Sequence, residues 1–134
     1  MLSACQIGTK TAISYVNGIP VFSVTREDGG ETCLAYIGVR EGTRDINGPA
    51  VWALNQNLDD RQAGTAKCYS VFTYGKAVEG YEQRFGGKPL TPGKNYVVDI
   101  GGGGLTGTTV FIYQPDEPAE VKEQAQRSSS EIAP

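Results

Sequence analysis

A chain of 134 residues with 12 basic and 15 acidic side chains, net charge −3, has room for one ordinary domain with a real core. It contains no Lys/Arg cluster and no run of ~20 apolar residues, so neither the footprint of a nucleic-acid binder nor a membrane-spanning helix is present. Histidine is absent, which removes the commonest general base, metal ligand and near-neutral pH switch together; a protein that is not an enzyme and uses no cofactor or metal is expected. Eighteen glycines and seven tyrosines describe tight turns between aromatic-rich strands, the composition of an all-β domain.

In chain order, Leu2-Ser3-Ala4-Cys5 resembles the lipobox of bacterial lipoproteins. The basic region and apolar stretch of about 7–15 residues that precede the cysteine in an export signal are not in front of it, so the sequence is expected to begin inside such a signal. The resemblance implies a diacylglyceryl chain and amino-terminal palmitate on Cys5 and attachment to a membrane through that lipid. Gln6 in place of an inner-membrane retention Asp implies the outer membrane, periplasmic face. In that oxidising compartment the remaining pair, Cys33 and Cys68, is expected to form a disulfide. The other reading of that pair is two buried thiols acting as small apolar residues. Residues 1–9 form the leader.

Residues 10–115 read as the domain. Asn17-Gly18 between two β-rich runs is the strongest short hairpin signal, because both residues tolerate the positive φ of a type I′ turn. Pro20 restricts the second strand to an edge or delays its start. A third strand is predicted over 32–39, with Cys33, Ala35, Ile37 and Val39 on one face. The polar segment 40–49 follows, and its Arg40, Arg44 and Asp45 are candidates for contact with a partner. Trp52, the only tryptophan, reads as a core anchor. A second polar loop over 55–65 offers Asp59, Asp60 and Arg61. Its Asn55, Asn57, Asp59 spacing is too sparse in oxygen ligands for a calcium loop. The run 67–75 has apolar residues on both faces and predicts a central strand, whereas 78–85 reads as an edge strand or loop.

The segment from Pro89 to Tyr113 predicts a late hairpin, with strands over 96–100 and 108–113 and a glycine-rich connection between them. Gly102 to Gly107 formally matches G-x-G-x-x-G, but the following TTVFIYQP cannot form the helix that a dinucleotide site requires. Thr108 also stands where a phosphate-binding loop needs Lys, so no nucleotide is expected. Residues 116–134 are polar, with two prolines ahead of most of them, and read as a tail without a fixed fold.

Tyr74-Gly75, then Pro89-Leu90-x-Pro92-Gly93-Lys94-x-Tyr96-x-Val98, then the closing Phe111-Ile112-Tyr113, resembles the C-terminal half of small bacterial lipoproteins with an immunoglobulin-like β-sandwich. The fold expectation is therefore an antiparallel sandwich of about seven or eight strands, with a small barrel as alternative. The functional expectation is a non-enzymatic cell-envelope lipoprotein acting as a binding or structural module in the periplasm, its loops presented to an envelope protein or glycan. The alternative is a periplasmic inhibitor or immunity protein directed at a lysozyme or toxin.

Overall fold

A computed structural model describes residues 6–65 and 67–115. The chain is nearly all strand: β1 (Ile7–Val16), β2 (Ile19–Arg26), β3 (Tyr36–Gly42), β4 (Asn47–Gln56), β5 (Val71–Thr73), β6 (Tyr81–Gly86), β7 (Asn95–Gly101) and β8 (Leu105–Ile112), with a short helix α1 (Leu58–Ala63) after β4. The strands form one sheet in the order β5-β2-β1-β8-β7-β3-β4-β6. That sheet curls into a half-barrel around a single core, the form anticipated by the barrel alternative; the eight strands do not divide into the two facing layers of a sandwich.

Every ladder is antiparallel except that of β1 on β8, where Ile7 and Gly8 pair in parallel with Leu105 and Thr106. This one ladder joins the first hairpin to the rest of the sheet. The type I′ turn is as its sequence dictates: Asn17 and Gly18 have φ of 52° and 79°, and Val16 pairs with Ile19. The late hairpin turns on Gly102-Gly103-Gly104, all with positive φ. Its strands therefore run further into the glycine-rich stretch than the predicted 96–100 and 108–113.

Alternation along the central strands sends Ile37, Val39, Trp52, Leu54, Tyr96, Val98 and Ile100 into the core with Phe22, Phe72 and Phe111. Trp52 is fully buried, and its indole Nε1 donates to Gln83 Oε1 at 3.0 Å, so the large apolar ring is buried without orphaning its donor. Phe22 stacks on it with ring centroids 6.2 Å apart.

Two predicted strands differ. The segment 32–35 does not pair; it crosses an end of the half-barrel, where Leu34 is buried as a plug and its carbonyl accepts from Tyr81 Oη at 2.5 Å. Of the run 67–75, only Val71 to Thr73 joins the sheet, at its edge against β2. It is apolar on both faces because Tyr69 and Phe72 reach across the open side of the curl to Tyr81, with centroid separations of 5.8 Å and 5.9 Å. The segment 78–85 supplies the other edge strand, as expected. The predicted tail and the leader up to Cys5 lie outside the described residues.

Cys33 and Cys68 form a disulfide, with sulfurs 2.00 Å apart. It ties the 32–35 crossing to the segment that enters β5. The opposite end is closed by the β6–β7 connection: Leu90 is buried, Tyr74 Oη donates to the Lys88 carbonyl at 2.6 Å, and Thr91 N–H donates to Tyr96 Oη at 2.8 Å.

Candidate functional site

The two polar loops singled out in the sequence lie at opposite ends of β4, a strand of 10 residues and so about 33 Å long at the usual rise. They differ in what their charges do.

At the 40–49 end, Arg40 is a residue of β3 and does not project from a loop. Its Nε donates to Asp99 Oδ2 at 2.9 Å, and its Nη1 donates to the carbonyls of Thr43 and Ile46, both at 3.1 Å. Asp99 accepts in addition from Thr108 Oγ1 at 3.3 Å. Arg44 turns back over the sheet and donates to the Thr108 carbonyl at 3.2 Å. The guanidinium groups thus close the β3–β4 turn, leaving Asp45 exposed at its tip. Tyr36 lies on the same outer face, its ring over Gly38, where a Cβ would collide with the phenol. Its ionisation is pushed up by burial and by Asp99, with Arg40 opposing.

Nearby, Glu41 accepts from Lys94 Nζ at 2.9 Å and pairs with Lys88 at 3.2 Å. These hydrogen bonds hold its carboxyl below the usual range, the Lys94 bond being the larger cause, and raise Lys94 in turn. Both lysines belong to the β6–β7 connection, so Glu41 clasps the two ends of the segment that closes this side of the core. Burial, with help from Tyr96 and Glu41, pushes the Tyr74 phenol well up.

At the 55–65 end the sequence had indicated only a loop. The structure places α1 there, capped by Asn57, whose Oδ1 accepts from the Asp60 N–H at 3.0 Å; this is the N-cap geometry. Asp59 and Asp60 in its first turn sit favourably at the positive end of the helix. Asp60 also accepts the Thr65 N–H through its carbonyl, and the Arg61 backbone is helical. Asn57 therefore spends its oxygen on the helix rather than on a cation. Among the described residues no group of three or more His, Cys, Asp or Glu side chains is placed to hold a metal.

Beside α1 runs an open groove of about 380 Å³, lined by Asn55, Gln56, Asn57, Leu58, Asp59, Glu82 and Arg84. Gln56 is tied inward, donating to the Lys67 carbonyl at 3.1 Å and reaching Cys33 Sγ at 3.8 Å. The side chains of Asn55, Asp59, Glu82 and Arg84, by contrast, make no hydrogen bond or ion pair among the described residues. Leu58 adds an exposed apolar surface.

Of the residues named from sequence, then, Asp59 reaches the groove; Arg40 and Arg44 are consumed by the fold; Asp45 stands apart at the far end; and Cys5 lies outside the described residues. Glu82 and Arg84 were missed. The signal available for them was charge alternating with polar and aromatic residues along a strand weak enough to be an edge. Searches of family models, curated proteins and solved structures found no match to this chain.

Proposed function

We propose that this chain is a non-enzymatic binding module of the bacterial cell envelope, held to the outer membrane by lipid on Cys5, which takes a glycan in the groove between β4, α1 and β6. The observation that carries the reading is the convergence of four polar side chains with unspent hydrogen-bonding capacity, Asn55, Asp59, Glu82 and Arg84, on one groove. Amide, carboxylate and guanidinium groups together present both donors and acceptors to a hydroxyl-rich ligand, and Leu58 offers an apolar patch for a sugar face. The core is filled by Trp52, Phe22, Phe72 and Tyr96, so binding falls to the outer surface. The lipid anchor rests on the lipobox resemblance, and the Cys33–Cys68 disulfide, which suits an oxidising compartment, supports it.

Two measurements test the reading. Co-sedimentation with purified peptidoglycan sacculi should retain the protein, and Asp59→Ala with Arg84→Ala should abolish retention, with the unfolding midpoint lowered only by the loss of the Asp59 charge from the first turn of α1. Equal retention of the variant would remove the groove from consideration, and retention only by envelope proteins would move the partner to that class. Labelled palmitate should enter the protein expressed with a complete export signal and not its Cys5→Ser form.

A further inference from the structure

Four of the seven large apolar side chains left exposed among the described residues stand on one face of the sheet: Val16, Ile19, Val71 and Ile112, each 44% to 58% exposed. Alternation along β1, β2, β5 and β8 sends Ile13, Phe22, Phe72 and Phe111 into the core, so these four, together with Val21 and Val110, point outward. They do so from consecutive strands, in the order β5-β2-β1-β8. The remaining outward positions on those strands are Gly, Ala, Ser or Thr, with Lys10 the only charge among them. The other half of the sheet differs, its outward positions on β3 and β7 holding Arg40 and Asp99 as an ion pair. A strand with one solvated face alternates apolar inside with polar outside. These four strands carry aliphatic groups on both faces, and the outer groups stay uncovered among the described residues.

Three features select what covers them. Charge depletion with aliphatic enrichment is the composition of contacts between like subunits, whereas contacts between separately soluble proteins are about as polar as the rest of the surface. A surface built for a bilayer carries a basic rim and interfacial aromatic rings; this face has one lysine and no outward ring. A twofold contact sets a patch against itself, and a face without a charge pattern meets its own copy with no like-charge repulsion to overcome. At the usual strand spacing and rise the face measures about 19 Å by 20 Å, a planar footprint of about 400 Å². Each partner in a standard-size interface gives up roughly 800 Å² of accessible surface, so the association is a reversible one.

We infer that this face packs against the same face of a second copy of this chain, sheet on sheet. The twofold axis runs along the strands between β1 and β2, the middle of the four-strand face. Within one copy Val16 pairs with Ile19 and Ser14 with Val21. The axis therefore sets Val16 of each copy over Ile19 of the other, and Ser14 over Val21. An axis along the strands keeps both α1 ends on the same side and leaves the two β6 strands, at the far edge of each sheet, outside the contact. The dimer uses neither the groove nor the lipid, so it stands or falls apart from the proposed function.

Sedimentation velocity of the full chain over a range of concentrations is the test, and a monomer–dimer equilibrium is expected. Val16→Lys alone, or Ile19→Glu alone, buries an unpaired charge against aliphatic groups and should raise the dissociation constant about tenfold or more. Both positions are exposed, so the unfolding midpoints should stay close to that of the wild type. An equimolar mixture of the two variants should associate more tightly than either alone, since the two introduced charges then face each other across the axis. Protein that stays monomeric up to millimolar concentration would overturn the inference. So would a dimer insensitive to both substitutions, or a mixture no tighter than its components. Sedimentation of a monomeric protein with phosphatidylglycerol vesicles, lost in Ile19→Glu, would assign the face to a bilayer and overturn it equally.

Discussion

The two ends of β4 carry similar numbers of charged residues and put them to opposite uses. At the β3–β4 turn, Arg40 and Arg44 spend their donors on Asp99 and on the carbonyls of Thr43, Ile46 and Thr108. At the α1 end, the backbone is fixed by an asparagine cap and a disulfide, which leaves Asp59, Glu82 and Arg84 free of internal partners. A charge already neutralised by the fold has little to offer a ligand, because taking it would cost the interaction it leaves. Charge count along the sequence therefore does not locate a site; unspent charge does.

The comparison can be broken most severely at the disulfide. Cys33→Ser with Cys68→Ser removes a cross-link across a sequence separation of 35, which the chain-entropy model values at about 3–4 kcal/mol. Chemical denaturation should show that loss, with glycan retention falling as the α1 end loosens. Next in size, Arg40→Ala leaves Asp99 and two carbonyls without their charged donor. Since the pair is only partly shielded from water, with side-chain exposures of 17% and 33%, the expected cost is about 2 kcal/mol, with retention by sacculi unchanged. Asn57→Ala uncaps α1 at about 1 kcal/mol and should weaken retention, since Leu58 and Asp59 sit in the first turn.

Smaller again is the pH dependence assigned to the β3 end. The Glu41 carboxyl is lower in the folded protein than in the unfolded chain. Its contribution is therefore complete above the unfolded value and is lost as pH falls through the folded one. Tyr74 works at the other limit. Its phenol is raised by burial, so its contribution is complete below the ordinary tyrosine range and is lost as pH rises beyond it. Tyr74→Phe should flatten the alkaline limb of the stability profile and Glu41→Gln the acid limb. The smallest effect on folding is that of Arg84→Ala, within about 0.5 kcal/mol, although it should abolish binding. If Arg84→Ala proved as destabilising as Arg40→Ala, the contrast between the two ends would fail.

Local chemistry made the hairpins legible. Asn17-Gly18 dictates its turn by φ alone, and the glycines at 102–104 stop the β7 run and reverse it. Trp52 was readable as a core anchor because a lone indole in a short strand has few other places to go. What local pattern could not supply was pairing at a distance. The run 67–75 looks central because both its faces are apolar, but one of those faces closes the open side of the curl from the sheet's edge. Leu34 fits the alternation of a strand and serves as a plug, since the covalent link at Cys33 draws that segment across the barrel end. The Arg40–Asp99 pair spans 59 residues, so nothing near Arg40 reveals that its charge is spent. The groove is assembled from β4, α1 and β6; of its free side chains Asn55 and Asp59 lay in the loop over 55–65 that looked like a site, whereas Glu82 and Arg84 lay in a segment that read only as an edge strand or loop.

The parallel start of β1 beside β8 has a consequence for orientation. Ile7 N–H donates to the Gly104 carbonyl at 2.8 Å, and the ladders carry that level across the sheet through Gly101, Tyr36 and Asn55 to Glu82. The chain therefore enters the domain at the α1 end. A chain spans at most about 3.6 Å per residue, so the proposed lipid on Cys5 tethers the groove close to the bilayer and turns the Asn17-Gly18 tip away.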